Sequence, residues 1–498
     1  MKTNWIAAAA ATLGMTLTVT VFAEESAFSL SDSKPEAAQV SYVTRTGISD
    51  ERTGISDEGE TVAVAIQDAA NPAPTQASYA DGCDSKLGLG FLNRGKGKGG
   101  CLGEPWTLFS NDNKRGIIIG GHTQVGYHGA GVNNVGTELF NTYSERVQLN
   151  QQWLYVAKVA QSDGKGADWG FRFDYVYGTD GPDLQAHGAS EIDAWDNSWD
   201  HGLAYGHAMP QLYAEVDTGS MRIKGGQFFY HGQYEVAPAT GNFFYSRSAS
   251  MTLAEPTSLT GVIAEIPLSD HMQVYAGWAA GWDSSFAGNG GSVFLGGVKM
   301  QLNDNMHLTY ATTNGDLGHD LTYRSNDFAR TNPATFGNPE GWRNARPTEG
   351  YSHTVILRTQ LTDRIHTVFH HALVSGADRT LDTNLPNGGN QNYIGNNALA
   401  DQNAYDGTIA TLCNYVFYSI NDCTEIGLRA EWINNDRWID EIHGTVVGIN
   451  YHHTPNLVIR PELQFVNYHK NWKTADAQIP FRTFRDATVF SIDAVLSY

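Results

Sequence analysis

The sequence predicts an all-β chain, a transmembrane up-and-down antiparallel β-barrel of about 16 strands behind a disordered N-terminal extension, and three observations predict it. The last ten residues, 489–498, read Val-Phe-Ser-Ile-Asp-Ala-Val-Leu-Ser-Tyr. Side chains alternate with period two along a strand, so Phe490, Ile492, Ala494, Leu496 and Tyr498 share one face, and Ser491, Asp493 and Ser497 share the other. Chain ends are ordinarily frayed and polar. A barrel whose last strand must close on its first ends instead on a full-length alternating strand with an interfacial aromatic. Second, a turn pattern of aliphatic residue, short polar residue, Asp and polar residue occurs at 268–271, 302–305, 361–364 and 420–423. Asn, Asp and Ser in such a turn satisfy its backbone with their own side chains. Third, the short turns alternate with long connections rich in Gly, Asn and aromatics, as the two rims of a membrane barrel require.

Composition agrees with a sheet in lipid and excludes other classes. Charged residues make up 17% against roughly 25% in ordinary soluble domains, while there are 53 glycines and 11% aromatics. No stretch after the N-terminus offers the 18 or so apolar residues of a membrane helix. The net charge of −21 makes nucleic-acid binding an unfavourable reading and opposes adhesion to anionic lipid surfaces.

Residues 1–23 carry Lys2, an apolar run and the ending Val21-Phe22-Ala23, which is the layout of a secretory signal peptide. Residues 24–80 form an acidic, low-complexity linker dominated by Ala, Ser, Thr and Pro, in which Thr-Gly-Ile-Ser-Asp-Glu occurs twice. Ten acids against three bases give this tract a net charge of −7, a third of the total. Residues 81–114 form a periplasmic lead-in segment, where Cys83 and Cys101 bracket a Gly/Lys-rich stretch and are candidates for a disulfide in an oxidising compartment. Residues 115–498 are the barrel.

Sixteen strands are expected near 116–128, 145–160, 167–178, 208–217, 220–230, 258–268, 271–282, 292–302, 305–313, 350–361, 364–375, 408–420, 423–434, 444–453, 456–467 and 487–498. In the third, Trp169, Phe171, Phe173, Tyr175 and Tyr177 oppose Arg172 and Asp174. In the seventh, Met272, Val274, Ala276, Trp278, Ala280 and Trp282 point outward against Gln273, Tyr275 and Gly277. In the thirteenth, Ile426, Leu428, Ala430 and Trp432 oppose Glu425, Arg429 and Glu431. Hydrophobicity alone does not separate this from a soluble barrel with aromatics inside, but size does: sixteen strands leave an interior too wide for side chains to fill.

The polar face then lines a channel. Its candidates are Lys158, Arg172, Arg222, Lys224, Lys299, Arg358, Arg429 and Arg460 against Asp174, Glu215, Glu265, Glu431, Glu462 and Asp493, a mixed wall whose opposed charges orient polar solutes. The connection 231–257 is the candidate constriction, with Tyr234, Glu235, Arg247 and Glu255 among its aromatic and charged residues; folded inward it narrows the pore, folded outward it is a surface loop. Enzyme signatures are poor. No nucleophile elbow, zincin or phosphate-loop pattern occurs, and His366 and His370, four strand residues and about 13 Å apart, cannot share a metal without another element. No catalytic residue, metal or cofactor is therefore expected. Cys413 lies about 20 Å up its strand from Cys423, so no bond is expected between them.

Several stretches carry a family resemblance: 102–109 (Leu-Gly-Glu-Pro-Trp-Thr-Leu-Phe), 148–155 (Gln-Leu-Asn-Gln-Gln-Trp-Leu-Tyr), 172–180 (Arg-Phe-Asp-Tyr-Val-Tyr-Gly-Thr-Asp), 210–215 (Pro-Gln-Leu-Tyr-Ala-Glu), 233–236 (Gln-Tyr-Glu-Val), 242–246 (Asn-Phe-Phe-Tyr-Ser), 274–278 (Val-Tyr-Ala-Gly-Trp) and 428–432 (Leu-Arg-Ala-Glu-Trp). They span residue 102 to the C-terminus and resemble the OmpL-like outer-membrane β-barrel porins of the planctomycete type. His231-Gly232-Gln233 departs from the pattern, which more usually has Gly directly before Tyr-Glu-Val. The resemblance implies an outer-membrane barrel and a pore, and it supplies no catalytic residues. The expected function is a porin passing small hydrophilic solutes or ions by passive diffusion, with outer-membrane lipid around it and the barrel-assembly machinery recognising its C-terminal strand. The alternative is a structural or surface-binding barrel with a plugged lumen and interacting outer loops. An oligomer is compatible with either.

Overall fold

A computed structural model describes residues 105–109, 115–129, 143–162, 166–186, 205–286, 288, 290–318, 349–377, 407–435, 439–469 and 486–498. The signal peptide, the acidic tract and the Cys83–Cys101 candidate lie outside them.

The described chain is nearly all strand: β1 (Ile118–His128), β2 (Val147–Lys158), β3 (Asp168–Gly178), β4 (Gly206–Asp217), β5 (Arg222–Phe229), β6 (Ser258–Ser269), β7 (Met272–Trp282), β8 (Ser292–Asn303), β9 (Met306–Asp316), β10 (Glu349–Thr362), β11 (Ile365–Ala377), β12 (Gly407–Asn421), β13 (Thr424–Asn435), β14 (Ile439–Thr454), β15 (Leu457–His469) and β16 (Ala487–Ser497). Every strand pairs antiparallel with its neighbours in sequence, and β1 pairs with β16, closing the sheet. All sixteen expected strands form within a few residues of their expected bounds; β14 begins five residues earlier.

The recurrent turns make the hairpins, and the short polar residue of each does the local work. The N–H of His271 reaches Ser269 Oγ at 3.3 Å, that of Asn305 reaches Asn303 Oδ1 at 2.9 Å, that of Arg364 reaches Thr362 Oγ1 at 3.3 Å, and that of Cys423 reaches Asn421 Oδ1 at 2.9 Å. Asp217 does the same for Gly219 at 2.8 Å. A backbone donor at the tip, which the hairpin ladder leaves unpaired, is thereby satisfied. The turn at Asn421 also fixes the cysteines: Cys413 faces Glu431 in mid-strand while Cys423 sits at the turn, and no bond joins them.

Closure uses the C-terminus as expected. Thr123 faces Leu496, Val125 faces Ala494 and Tyr127 faces Ile492, and Gly121 and Tyr498 exchange both backbone bonds at 2.9 and 3.0 Å. Without this pairing two strand edges would remain, each carrying polar groups that cost several kcal/mol apiece in hydrocarbon. Phe490 is 49% exposed on the outer face, whereas Asp493 is buried inside.

Two expectations about faces are corrected. Trp282 is buried, and its indole donates to Thr313 Oγ1 at 3.0 Å. The pairing skips from Gly261–Ala279 to Leu259–Trp282, so one extra residue in β7 breaks the alternation and turns the ring inward. Lys158 is paired with Phe171, on the outward face that carries Trp169. Its ammonium binds Asp168 at 2.9 Å near the short-turn rim. Counting by twos from Gln148 places Lys158 inside, but β2 bulges at Asn150, where Gln124 faces Gln151 and the next residue faces Leu149. One inserted residue exchanges the two faces from there on.

Candidate functional site

Residues 230–257, between β5 and β6, fold into the barrel and are held there at both ends and along their length. At the start, His231 Nε2 lies 3.1 Å from the carbonyl oxygen of Gly296 on β8. The neighbouring Gly232 passes so close to β9 that a Cβ there would lie 2.4 Å from that of Ala311. The glycine two positions before Tyr234 thus fits the approach of loop to wall. At the far end, Asp283 Oδ1 accepts the N–H groups of Thr257 and Ser258 at 2.7 and 2.8 Å. Between them Asn242 ties the loop to itself, accepting from the N–H of Val236 at 2.8 Å and donating to the carbonyls of Val236 and Pro238 at 2.7 and 2.8 Å.

Loop backbone has few partners of its own kind in a barrel, and the wall supplies them from inward-facing polar side chains. Arg429 on β13 donates through Nη1 to Glu235 and to the carbonyl of Ser246, both at 2.9 Å, and through Nη2 to Ser246 Oγ at 3.0 Å. Its Nε lies 3.2 Å from Glu431, and its guanidinium stacks 5.1 Å from the centroid of Phe244. Glu431 in turn accepts the N–H of Ala249 at 2.8 Å. Glu462 on β15 accepts the N–H groups of Tyr245 and Ser246 at 2.9 and 3.1 Å. Arg460 donates to the carbonyls of Ala239 and Asn242 at 2.9 and 2.6 Å while paired with Asp493. Three strands further round the wall, Gln151 of β2 accepts from the N–H of Ala239 at 3.0 Å and donates to the carbonyl of Ala237 at 2.9 Å. The π-helical turn Ser250–Ala254 packs on β11 and β12. Glu255, directly after it, meets His370 Nε2 at 2.8 Å and Thr354 Oγ1 at 2.9 Å, all three fully buried.

Apolar packing reinforces this frame. Phe244 joins Ile356, Val368, Tyr415, Phe417 and Val446, with Tyr234 and Phe243 against them. Leu253 and Ala254 belong to the larger cluster that includes Ala372, Val374, Ile409 and Ile442. Burial holds the phenols of Tyr234 and Tyr245 above their ordinary range and pulls the Arg247 guanidinium down. Just past the end of β3, Asp180 accepts from Gln151 at 2.9 Å and Asn150 at 3.3 Å, and burial pushes its carboxyl up to about 8.

The remaining expected wall residues group nearer the short-turn rim. Arg172 pairs with Asp174 at 2.7 Å and stacks on Tyr155, and Asp174 also accepts from Trp153 and Gln211. Glu215 accepts the N–H of Ala160 at 2.7 Å. Arg222 and Lys224 both approach Glu265, at 3.8 and 3.3 Å. Lys299 lies over the ring of Tyr275, and Arg358 lies 5.4 Å from the centroid of Tyr234. The expected residues therefore divide: Arg429, Glu431, Arg460 and Glu462 grip the inner loop, Arg358 touches Tyr234, and Arg172, Asp174, Glu215, Arg222, Lys224 and Glu265 make the pairs just given along the wall. Reading the sequence did not single out Gln151, Asn242, Asp180 or Tyr415, and it weighed His370 only as a metal ligand. Gln151, Asn242 and Tyr415 share a polar, uncharged side chain at an inward strand position or within the inward connection, and Asp180 sits just past the end of β3, outside any strand pattern.

A match to a family model decides the relationship: residues 116–498 fit the family described as "putative beta-barrel porin-2, OmpL-like". The chain belongs to this porin family. The match begins at the barrel and leaves out the first 115 residues. No curated protein matches the chain. Among solved structures, the porin-family barrel is similar to the outer membrane channel DcaP of Acinetobacter baumannii, with 11% identity, a TM-score of 0.45, and coverage of 77% of this chain and 97% of that one. It is also similar to OprB of Pseudomonas putida (13% identity, TM-score 0.45, 77% and 94% covered) and to an anion-selective porin from Comamonas acidovorans (8% identity, TM-score 0.42, 77% and 99% covered).

Proposed function

We propose that the protein is an outer-membrane porin, exported by its signal peptide, through which small hydrophilic solutes or ions diffuse passively along the space beside the inner loop 230–257. The observation that carries this reading is the loop itself: a long connection turned into a wide barrel and fixed there by Arg429, Glu431, Arg460 and Glu462. A rigid inward loop sets a constriction of defined size and charge, which is what a size- and charge-selective passive pore needs. Tyr234, Glu235, Arg247 and Glu255 belong to that constriction, and Arg172, Asp174, Glu215, Arg222, Lys224, Glu265, Lys299 and Arg358 to the polar wall leading to it. The outer apolar face meets lipid, and the final strand is the segment that assembly factors engage. Diffusion needs no catalysis, so the protein acts as a channel and not as an enzyme.

One observation favours the alternative of a plugged barrel that binds at its outer loops: each of the sixteen strands carries buried inward-facing side chains, from His122 on β1 and Ala311 on β9 to Asp493 on β16. Planar-bilayer recording separates the two. Folded, heat-modifiable protein should give stepwise conductance. Silent bilayers with the same folded protein would leave the plugged barrel as the reading.

A further inference from the structure

We propose that Arg358 is the specificity-determining charge of the lumen and gives the pore a preference for small anions, carboxylate and phosphate solutes included; this rests on the porin reading above. The wall is nearly balanced in formal charge, but its charges are unequally engaged. Each of the six inward carboxylates expected from the sequence is held by a protein donor: Asp174 by Arg172, Glu215 by the N–H of Ala160, Glu265 by Lys224, Glu431 by the N–H of Ala249, Glu462 by loop N–H groups, and Asp493 by Arg460. Arg172, Arg429 and Arg460 are spent in the same pairs or in gripping the loop.

Arg358 differs. Among the described residues no carboxylate lies within ion-pair distance of it, and its Nε has no acceptor. Its one contact of note is the ring of Tyr234, 5.4 Å away, at the start of the inner loop. Stacking on an aromatic face orients a guanidinium without neutralising it, and the fork of N–H donors stays available for a planar oxyanion. The flanking positions leave that charge intact. His307 on β9 and Val368 on β11 face Arg358 in the ladder. Of the two inward carboxylates on β13, Glu431 is paired with Arg429, and Glu425 is engaged by Ser419 Oγ at 2.9 Å, with His366 3.7 Å away. Arg358 lies four residues from the end of β10, about 13 Å from the short-turn rim. It thus stands between that rim and the loop, where a solute leaving or approaching the constriction passes it.

A unit charge about 6 Å from the path in water changes the local concentration of a monovalent ion about threefold, up for anions and down for cations, and so changes their permeability ratio roughly tenfold. The test is the reversal potential of the full-length protein in planar bilayers under a potassium chloride gradient, with Arg358→Gln, Arg358→Glu and Arg358→Lys compared after each is shown to be heat-modifiable. Wild type should pass chloride over potassium. R358Q should lower the chloride-to-potassium ratio roughly tenfold, R358E should carry it further in the same direction, and R358K should keep the wild-type sign. A conducting wild type that prefers potassium overturns the proposal whether or not the variants fold, as does an R358Q channel with an unchanged reversal potential; in both cases the porin reading stands. A folded wild type with no conductance removes that reading and this one with it.

Discussion

Replacing Arg429 with Met should release the inner loop. The side chain is fully buried and makes five polar contacts at once: Glu235 and the Ser246 carbonyl at 2.9 Å, Ser246 Oγ at 3.0 Å, Glu431 at 3.2 Å and the Arg247 carbonyl at 3.3 Å. Methionine retains much of the packing against Phe244 but supplies no donor, so two buried carboxylates lose their cation. Glu235 keeps Tyr415 and the N–H of Ser248, and Glu431 keeps the N–H of Ala249, which lessens the penalty without cancelling it. Breaking a buried ion pair from one side costs about 3–5 kcal/mol, or roughly two to three and a half powers of ten in the equilibrium between anchored and released loop. The wall strands keep their ladders, so the barrel should still form. Two assays read the outcome. Trypsin should cut folded R429M after Arg247, which is buried in the parent, and single-channel currents should become noisier. Adding Glu235→Gln and Glu431→Gln should restore part of the resistance, because neutral amides tolerate the missing cation. Folded R429M that resists trypsin as the parent does, with equally quiet current, would refute the claim that this arginine holds the loop.

Three further outcomes follow from the geometry. Ile492→Arg, at mid-strand on the outward face of β16 opposite Tyr127, should cost about 2–4 kcal/mol of insertion free energy and leave the protein exported but not heat-modifiable; normal assembly would mean that this face does not meet lipid. Gly232→Ala should cost about 1–3 kcal/mol by overpacking, since its Cβ would lie 2.4 Å from that of Ala311, and a lower heat-modifiability midpoint checks it. Asp180 gives a pH dependence whose sign is fixed. Its folded-state value of about 8 stands above the ordinary 3.8 because the site is buried. Its contribution to stability is therefore fully present below about pH 4 and is lost as pH rises through 8. Asp180→Asn should flatten the fall in the unfolding midpoint between pH 5 and 9, and an equal slope in both proteins would remove Asp180 as its source.

The candidate site was legible in part, and the missed part has a pattern. Arg429, Glu431, Arg460 and Glu462 stood out because charge on the back of an aromatic strand is conspicuous. Their task of holding backbone was not visible, since a carboxylate that accepts two loop N–H groups and one that faces water look alike in a sequence. Gln151 and Asn242 each make several bonds to the loop, yet an amide on a strand or in a connection carries no pattern of its own. Lys158 and Trp282 were assigned to the wrong faces for one reason: each follows a bulge, and parity counted along the chain passes through a bulge without registering it.

By itself the sequence determined the barrel. Period-two alternation, the polar residue before each turn Asp, and the closing strand ending at Tyr498 are written within spans of about fifteen residues, and antiparallel hairpins need nothing more distant to set their order. The tertiary structure alone decided the path of the inner loop, because its partners are far away along the chain. Arg429 and Glu235 are 194 residues apart, and Glu462 and the N–H of Tyr245 are 217 apart. Only closure of the sheet brings them together. Once it does, the unpaired backbone of 230–257 finds its hydrogen-bond partners on the wall, and burial fixes it there.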